Sequence, residues 1–334
     1  MNTKLPLTVL LLAAFLVFSF SLNTSFCKNE KIKIAVSIDA LRLILKPIIE
    51  PYAEIIVLLP EEVDPHLFQA SPNIIEAAEQ SDLIVCTGHF SFEYKVVQTV
   101  KRPYVCLDDF LKSGLVLLTY LDSNEKNIHG YWFLPDNALT IAKVVVQKLS
   151  VTDPSHYDYY RSRLKEFEQQ IKMLKVLISE ENHLTNVSVI ISAPVEQYPI
   201  TALGLKSVAS IMKEHGVFPG AKEIQELESA ISSKKNFLII SSDLSIKTKS
   251  GEIAKQISTD TGAPLVVLKL FHTKHFDDYF SLMVYNLGLI STYAPQIKSS
   301  QSFSDVIPYI IVALTVIIAL ESVIIANLLR RRAQ

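Results

Sequence analysis

No basic tract occurs in the 334-residue sequence apart from Arg330-Arg331-Arg332 at its extreme C-terminus. With 32 Lys plus Arg against 34 Asp plus Glu, the net charge is −2, so nucleic acid is not an expected partner. Cysteine is scarce. Of the three, Cys86 and Cys106 end two predicted strands twenty residues apart. They are consistent with a disulfide, which an exported location permits, or with buried free thiols. No His-Glu-x-x-His or comparable catalytic motif is present, and no repeat relates the two halves of the chain. After Pro154, proline and glycine are both missing until Pro194.

That last absence permits the longest helix in the chain. Asp153-Pro154 reads as its start, with a carboxylate at the N-cap and proline at the first helical position. Tyr157, Tyr160, Leu164, Phe167, Ile171, Leu174 and Ile178 then form one apolar stripe at spacings of three and four. A helix from Pro154 to about Glu181 would be roughly 40 Å long. The stripe lasts only about three heptads, so it is expected to pack on neighbouring lobes rather than form a coiled-coil seam.

The ends read as targeting segments. Residues 1–26 resemble an export signal, with Lys4 before the apolar run Leu7 to Leu22. Cys27 follows, but bulky Phe26 precedes it, so lipid attachment there is not expected. From Tyr309 to Leu329 the chain is mostly apolar, Glu321 being its only charge, and this length suffices to span a bilayer. The arginines beyond it predict a cytoplasmic C-terminus. The expectation is a single-pass cell-membrane protein with an extracytoplasmic body, a polar linker at 292–305 and an anchor at 306–329.

Between the ends, short aliphatic runs alternate with helical patterns. Strands are predicted at Lys31–Ser37, Ile55–Leu59, Asp82–Cys86 and Tyr104–Leu107, with a fifth at Leu115–Thr119. The same alternation resumes at Val187–Ser192, Phe237–Ser241 and Leu265–Leu270, with helices at Ala202–Glu214, Ala221–Ser233, Glu252–Thr261 and Phe276–Gly288. Continuous aliphatic strands between helices indicate buried, largely parallel sheets. The predicted fold is α/β: two doubly wound lobes at 31–152 and 183–291, joined by one long rigid helix at 153–182.

Ligands of doubly wound sheets bind outside the carboxyl ends of the strands. His66, His89 and His129 each follow a predicted strand of the first lobe, beside Asp64-Pro65, Gly88 and Gly130. Three loops from one sheet edge would bring three imidazoles together, and neutral imidazole is the commonest metal ligand. The ring set suits zinc; manganese leans more on carboxylate oxygen.

Several motifs resemble a known family, the zinc- and manganese-binding solute-binding proteins of ABC transporters. Asp64-Pro65-His66 resembles its first ligand motif. Ser81-Asp82-Leu83-Ile84-Val85-Cys86-Thr87-Gly88-His89 with Glu93 resembles its ADLIV-x-NG…E segment. His129-Gly130-Tyr131-Trp132-Phe133-Leu134-Pro135-Asp136-Asn137-Ala138 is similar to its H-x-WLDP-x-NA segment. Asp153-Pro154 with Tyr159, Tyr160 and Phe167, and then Tyr279, Met283 and Asn286, are similar to its interdomain helix and last motif. The resemblance implies that His66 and His129 are ligands. It also implies a histidine after the first strand of the second lobe, where Ser192 to Tyr198 has none, and a later carboxylate where Lys269 stands. His89 and Glu196 are the expected substitutes. His272, His275, Asp277 and Asp278 lie near the lost carboxylate position.

The implied function is an extracytoplasmic receptor that delivers a divalent metal, zinc or manganese, to an ABC transporter permease, without being an enzyme. Two alternatives use the same fold. A membrane-anchored metalloenzyme could activate water on three histidines, and a surface adhesion module could use the fold without transport.

Overall fold

The computed structural model describes residues 31–294, except 62, 182, 183, 185, 234 and 235. The segments expected as an export signal, 1–26, and as an anchor, 306–329, lie outside the described residues. The first lobe contains β1 (Ile32–Val36), α1 (Asp39–Ile49), β2 (Ala53–Val57), α2 (Pro72–Glu79), β3 (Leu83–Val85), α3 (Ser91–Thr99), β4 (Tyr104–Val105) and α4 (Leu107–Lys112). Its strands form a parallel sheet in the order β2-β1-β3-β4. α5 (Pro135–Thr152) and α6 (Tyr157–Glu180) follow. The second lobe contains β5 (Ser188–Ile191), α7 (Gln197–Ala202), β6 (Lys206–Ser210), α8 (Ala221–Ser233), β7 (Phe237–Ser242), α9 (Lys249–Thr261), β8 (Leu265–Leu268) and α10 (Tyr279–Tyr293). Its sheet is again parallel, in the order β6-β5-β7-β8.

The central strands are aliphatic throughout because helices cover both faces of a parallel sheet. Ile34, Ala35, Val36, Leu83 and Val85 are buried in one lobe, and Val189, Ile191, Leu238 and Ile240 in the other. In both sheets the chain winds first to one side of the central strand and then to the other. The loops at the carboxyl ends of β1 and β3 therefore flank a topological switch point, and those of β5 and β7 do the same.

α6 spans about 36 Å at the usual rise. Tyr160, Phe167, Ile171 and Leu174 of its stripe are buried, packed on α5, α1 and α10. It therefore lies across both lobes and is no coiled-coil seam. Its start differs from the sequence expectation: Asp153 caps no backbone N–H. The carboxylate instead accepts from Ser155 Oγ (2.8 Å), His156 Nδ1 (2.8 Å) and Tyr160 OH (2.6 Å). Burial works against that charge, but these donors prevail and hold Asp153 below its ordinary value.

Three further expectations are corrected. Leu115–Thr119 is not a strand; only Thr119 and Lys126 form an isolated antiparallel bridge. Side chains satisfy the backbone there: Asn137 binds Val116 N–H (3.0 Å) and C=O (2.8 Å), and the Tyr198 hydroxyl accepts Leu118 N–H (2.8 Å). The helix expected at Ala202–Glu214 gives way to α7 and the edge strand β6. Gly204 (φ 78°) follows α7 in the left-handed region, which ends a helix. The last helix begins at Tyr279 rather than Phe276, because the Asp278 carboxylate accepts Ser281 N–H (2.7 Å) at its N-cap.

Cys86 and Cys106 form a disulfide across β3 and the two-residue β4, with Cα atoms 4.9 Å apart. Closing a loop of 20 residues contributes about 3 kcal/mol in the chain-entropy account.

One buried core runs through both lobes, including Phe133, Phe167, Tyr198 and Tyr279. Polar bonds cross the same boundary. Tyr279 OH donates to Phe133 O (2.6 Å), and Asn127 Nδ2 to Pro194 O (2.9 Å). Gln197 Nε2 donates to Thr119 O (2.9 Å), Arg42 to Phe276 O (3.2 Å), and Lys46 pairs with Asp277 (2.6 Å).

Candidate metal centre

Local turns aim two of the three histidines. The Asp64 side chain accepts His66 N–H (2.9 Å), and the Asn127 side chain accepts His129 N–H (2.9 Å). Each is an Asx turn closing two residues back, a conformation these short side chains favour. His66 lies in the loop after β2. His89 lies in the β3–α3 loop, where Gly88 has φ 79° and a Cβ would meet Leu107 Cβ at 2.9 Å. His129 does not follow a strand directly, as expected from sequence; it ends the segment after α4, held against the second lobe by the Asn127 bonds.

The fold brings the three together. His66, His89 and His129 each offer a ligand atom within 4.8 Å of the other two, and they are the one such group among the described residues. Ring centroids are 6.0 Å apart for His66–His89, 5.2 Å for His66–His129 and 5.0 Å for His89–His129. Phe90 packs on both His66 (5.0 Å) and His89 (3.8 Å), and Trp132 stacks on His89 at 5.9 Å. His66 is exposed at the rim, and the other two are half-buried.

Desolvation favours the neutral rings. It lowers His66 despite Asp64, pushes His129 down to about 4 with help from His66, and pushes His89 well below its ordinary value, with His129 and His66 adding to it. At neutral pH three uncharged imidazoles face one another, the protonation state a metal requires. Their other ring atoms are partly engaged: Tyr120 OH lies 2.9 Å from His129 Nδ1, and Thr87 Oγ1 lies 3.1 Å from His89 Nδ1. His89 Nε2 is buried with no hydrogen-bond partner.

Glu196 is not brought to this group, which corrects the sequence expectation. It is fully buried on the turn Pro194–Glu196 at the carboxyl end of β5. Its oxygens accept Ala193 N–H (2.5 Å), Ser242 N–H (2.9 Å) and the Ser192 hydroxyl (3.2 Å), so it ties β5 to β7. Burial outweighs those bonds and pushes its carboxyl up to about 7. The weaker candidates do not join the group either. Asp277 pairs with Lys46, Asp278 caps α10, His275 is exposed and His272 Nδ1 lies 3.1 Å from Asp243.

Asp243 was missed from sequence, and Thr87, Glu93 and Trp132 carry roles that their motifs alone do not reveal. Asp243, at the end of β7, accepts N–H from Leu270 (3.2 Å), Phe271 (3.1 Å) and His272 (3.0 Å), shaping the facing loop of the second lobe. Its place directly after Ser241-Ser242 at a strand end is the signal that could have found it. Thr87 and Glu93 organise the His89 loop. Trp132, behind His89, also borders a cavity of about 150 Å³ between the lobes, lined by Asp39, Glu61, Leu270, His272 and Lys274.

Comparison with known proteins follows this geometry. Residues 34–293 match the family model ZnuA, described as zinc-uptake complex component A, periplasmic. The chain is 25% identical over 306 residues to the manganese ABC transporter substrate-binding lipoprotein PsaA of Streptococcus pneumoniae, covering 85% of this chain and 96% of that protein. It is likewise 25% identical over 312 residues to a metal ABC transporter substrate-binding lipoprotein of Lactococcus lactis, covering 85% and 95%. Among solved structures, its fold is similar to that of ZnuA, with TM-score 0.64, 19% identity and coverage of 79% and 99%. It is also similar to a cadmium-bound periplasmic metal-binding protein of Candidatus Liberibacter asiaticus, with TM-score 0.63, 20% identity and coverage of 78% and 99%.

The expected single-pass location is overturned by these relatives, whose names make them lipoproteins. Among the described residues no helix is long and apolar enough to cross a membrane. An apolar run of sufficient length is necessary for a span, and it does not by itself establish one. What the matched region, its two parallel sheets and its relatives establish together is that the chain belongs to the zinc-uptake complex component A family, the substrate-binding proteins of metal ABC transporters.

Proposed function

We propose that this protein captures a divalent metal ion on His66, His89 and His129 and presents it to an ABC transporter permease. The observation that carries the reading is the group of three mutually close imidazoles. They are held uncharged by desolvation and open to solvent at His66. An all-nitrogen set favours zinc as cargo over manganese, which prefers more oxygen.

Metal analysis of the purified protein tests this. The unsubstituted chain is expected to carry zinc in near-stoichiometric amount, and a His66→Ala, His129→Ala double variant almost none. Equal, negligible metal in both proteins would overturn the reading.

The lobes move little on capture in this account. α6 packs on elements of both lobes, and one core and several hydrogen bonds cross between them. Opening a wide cleft would expose that shared apolar surface at roughly 25 cal/mol per Å². Small-angle scattering is therefore expected to give nearly the same radius of gyration with and without zinc. A large contraction on adding zinc would contradict it.

A further inference from the structure

At the carboxyl end of β3, four consecutive backbone amides converge on one buried carboxylate. Glu93 accepts N–H from Thr87 (2.7 Å), Gly88 (2.8 Å), His89 (3.0 Å) and Phe90 (3.1 Å). The Thr87 hydroxyl lies 2.8 and 2.9 Å from its two oxygens, and 3.1 Å from Nδ1 of His89. Thr87 and Glu93 are both buried, so bulk water does not compete for these bonds. Tyr131 OH fixes the Thr87 carbonyl (2.8 Å), and Tyr94 OH fixes that of Gly88 (2.7 Å).

The donor count decides the direction of each bond. Four backbone N–H groups already donate to the Glu93 oxygens, which act as acceptors, so the hydrogen between Glu93 and Thr87 belongs to the threonine. A hydroxyl has only one. Toward His89 the Thr87 oxygen can therefore only accept, and Nδ1 must carry the imidazole hydrogen. A neutral imidazole carries just one, so Nε2 keeps a bare lone pair. That is the atom left buried without a partner. His129 has no such lock, since the hydroxyl of Tyr120 beside its Nδ1 can give or accept.

We propose that Thr87 is a positioning residue: its hydroxyl, oriented by Glu93, holds His89 in the Nδ1–H tautomer and presents Nε2 bare to the metal ion. The proposal rests on the metal-capture reading above and adds the residues that make His89 an effective ligand. The resembled family has asparagine-glycine where Thr87-Gly88 stands, so the threonine–histidine pair is a departure of this chain. Partners that orient a ligating histidine typically change metal affinity 10–100-fold when removed.

The test uses the full chain, selectively labelled with ¹⁵N-histidine, and zinc as the probe. Thr87→Val keeps the shape and removes the hydroxyl; Thr87→Ser restores the hydroxyl. Thr87→Val is expected to bind zinc about 10–100-fold more weakly, and Thr87→Ser close to normally. In the metal-free unsubstituted protein, ring ¹⁵N shifts are expected to show His89 as the Nδ1–H tautomer, mixed with Nε2–H in Thr87→Val. A merely structural role would lower stability in Thr87→Val without changing the tautomer. Full zinc affinity in Thr87→Val, or the Nε2–H tautomer in the unsubstituted protein, overturns the proposal. The second measurement decides it even if Thr87→Val fails to fold. A protein that shows the Nδ1–H tautomer yet takes up no zinc overturns the metal-capture reading instead.

Discussion

Gly130→Ala is expected to destabilise the fold by about 3 kcal/mol and to weaken zinc binding with it. Two costs combine at this position. Gly130 has φ 88°, where a non-glycine residue costs roughly 1–3 kcal/mol. A Cβ there would also lie 2.7 Å from Val195 O and 3.2 Å from Val195 Cγ2, across the boundary between the lobes. Overpacking of this kind costs about 1–3 kcal/mol more, because neither backbone can yield cheaply. The strain falls next to His129, so the ligand moves with it. Gly114→Ala is the control. Gly114 has φ 95° but nothing within 4 Å of its absent Cβ, so it reports backbone strain alone. Denaturant unfolding of both variants measures the difference. Equal costs, with normal zinc affinity in both, would show that the lobe contact at Gly130 does not constrain the site.

The second large effect concerns acid. His129 is held down to about 4 by burial and by His66, against about 6.5 in an unfolded chain. Above pH 6.5 neither state binds the proton, and the group contributes nothing to pH dependence. Between 6.5 and 4 the unfolded chain takes the proton and the folded one does not, so stability falls as pH falls. Below 4 both are protonated and the loss is complete, at about 3 kcal/mol. Glu196 acts oppositely over much of the same window. Its carboxyl, pushed up to about 7, binds a proton in the fold before the unfolded chain does, so stability from this group rises on acidification. The clean measurement is therefore a difference between metal-free proteins. Unfolding free energies of the unsubstituted protein and His129→Ala are expected to converge or cross by about 3 kcal/mol in favour of the variant between pH 6.5 and 4. A constant difference across that range would mean that His129 is not held uncharged in the fold.

Zinc binding should be lost on the same acidification, since each ligand must shed its proton to bind. The depressed values of all three histidines shift that loss below the range of an ordinary imidazole.

Much of the architecture was legible in residue order because its causes are local. Aliphatic runs such as Ile34-Ala35-Val36 and Leu238-Ile239-Ile240 can only be satisfied between two helical layers, and they are the sheet centres. The α6 stripe and the long interval without proline or glycine specify a helix whatever surrounds it. Errors fell where the partner is distant in sequence. Leu115–Thr119 has strand composition, yet its backbone is taken by Asn137 and Tyr198. Lys206–Ser210 lies inside the helix expected at Ala202–Glu214, yet pairing with β5 rather than local pattern makes it a strand.

By itself, then, the sequence determined two parallel α/β sheets, the helix across them, and His66 and His89 on loops that follow strands of the first sheet. Those follow from periodicity, turn chemistry and strand order, all encoded within short stretches. Only the tertiary structure decided which of the expected substitute ligands, His89 and Glu196, joins His66 and His129. Both follow a strand, His89 expected to replace the missing imidazole and Glu196 to supply an oxygen from the second lobe. Folding turned Glu196 inward to accept two backbone N–H groups that would otherwise be buried unsatisfied. It left His89 Nε2 without a partner beside two other imidazoles. A side chain's chemistry is written in the sequence, but whether its atoms are free to act depends on neighbours that only the fold supplies.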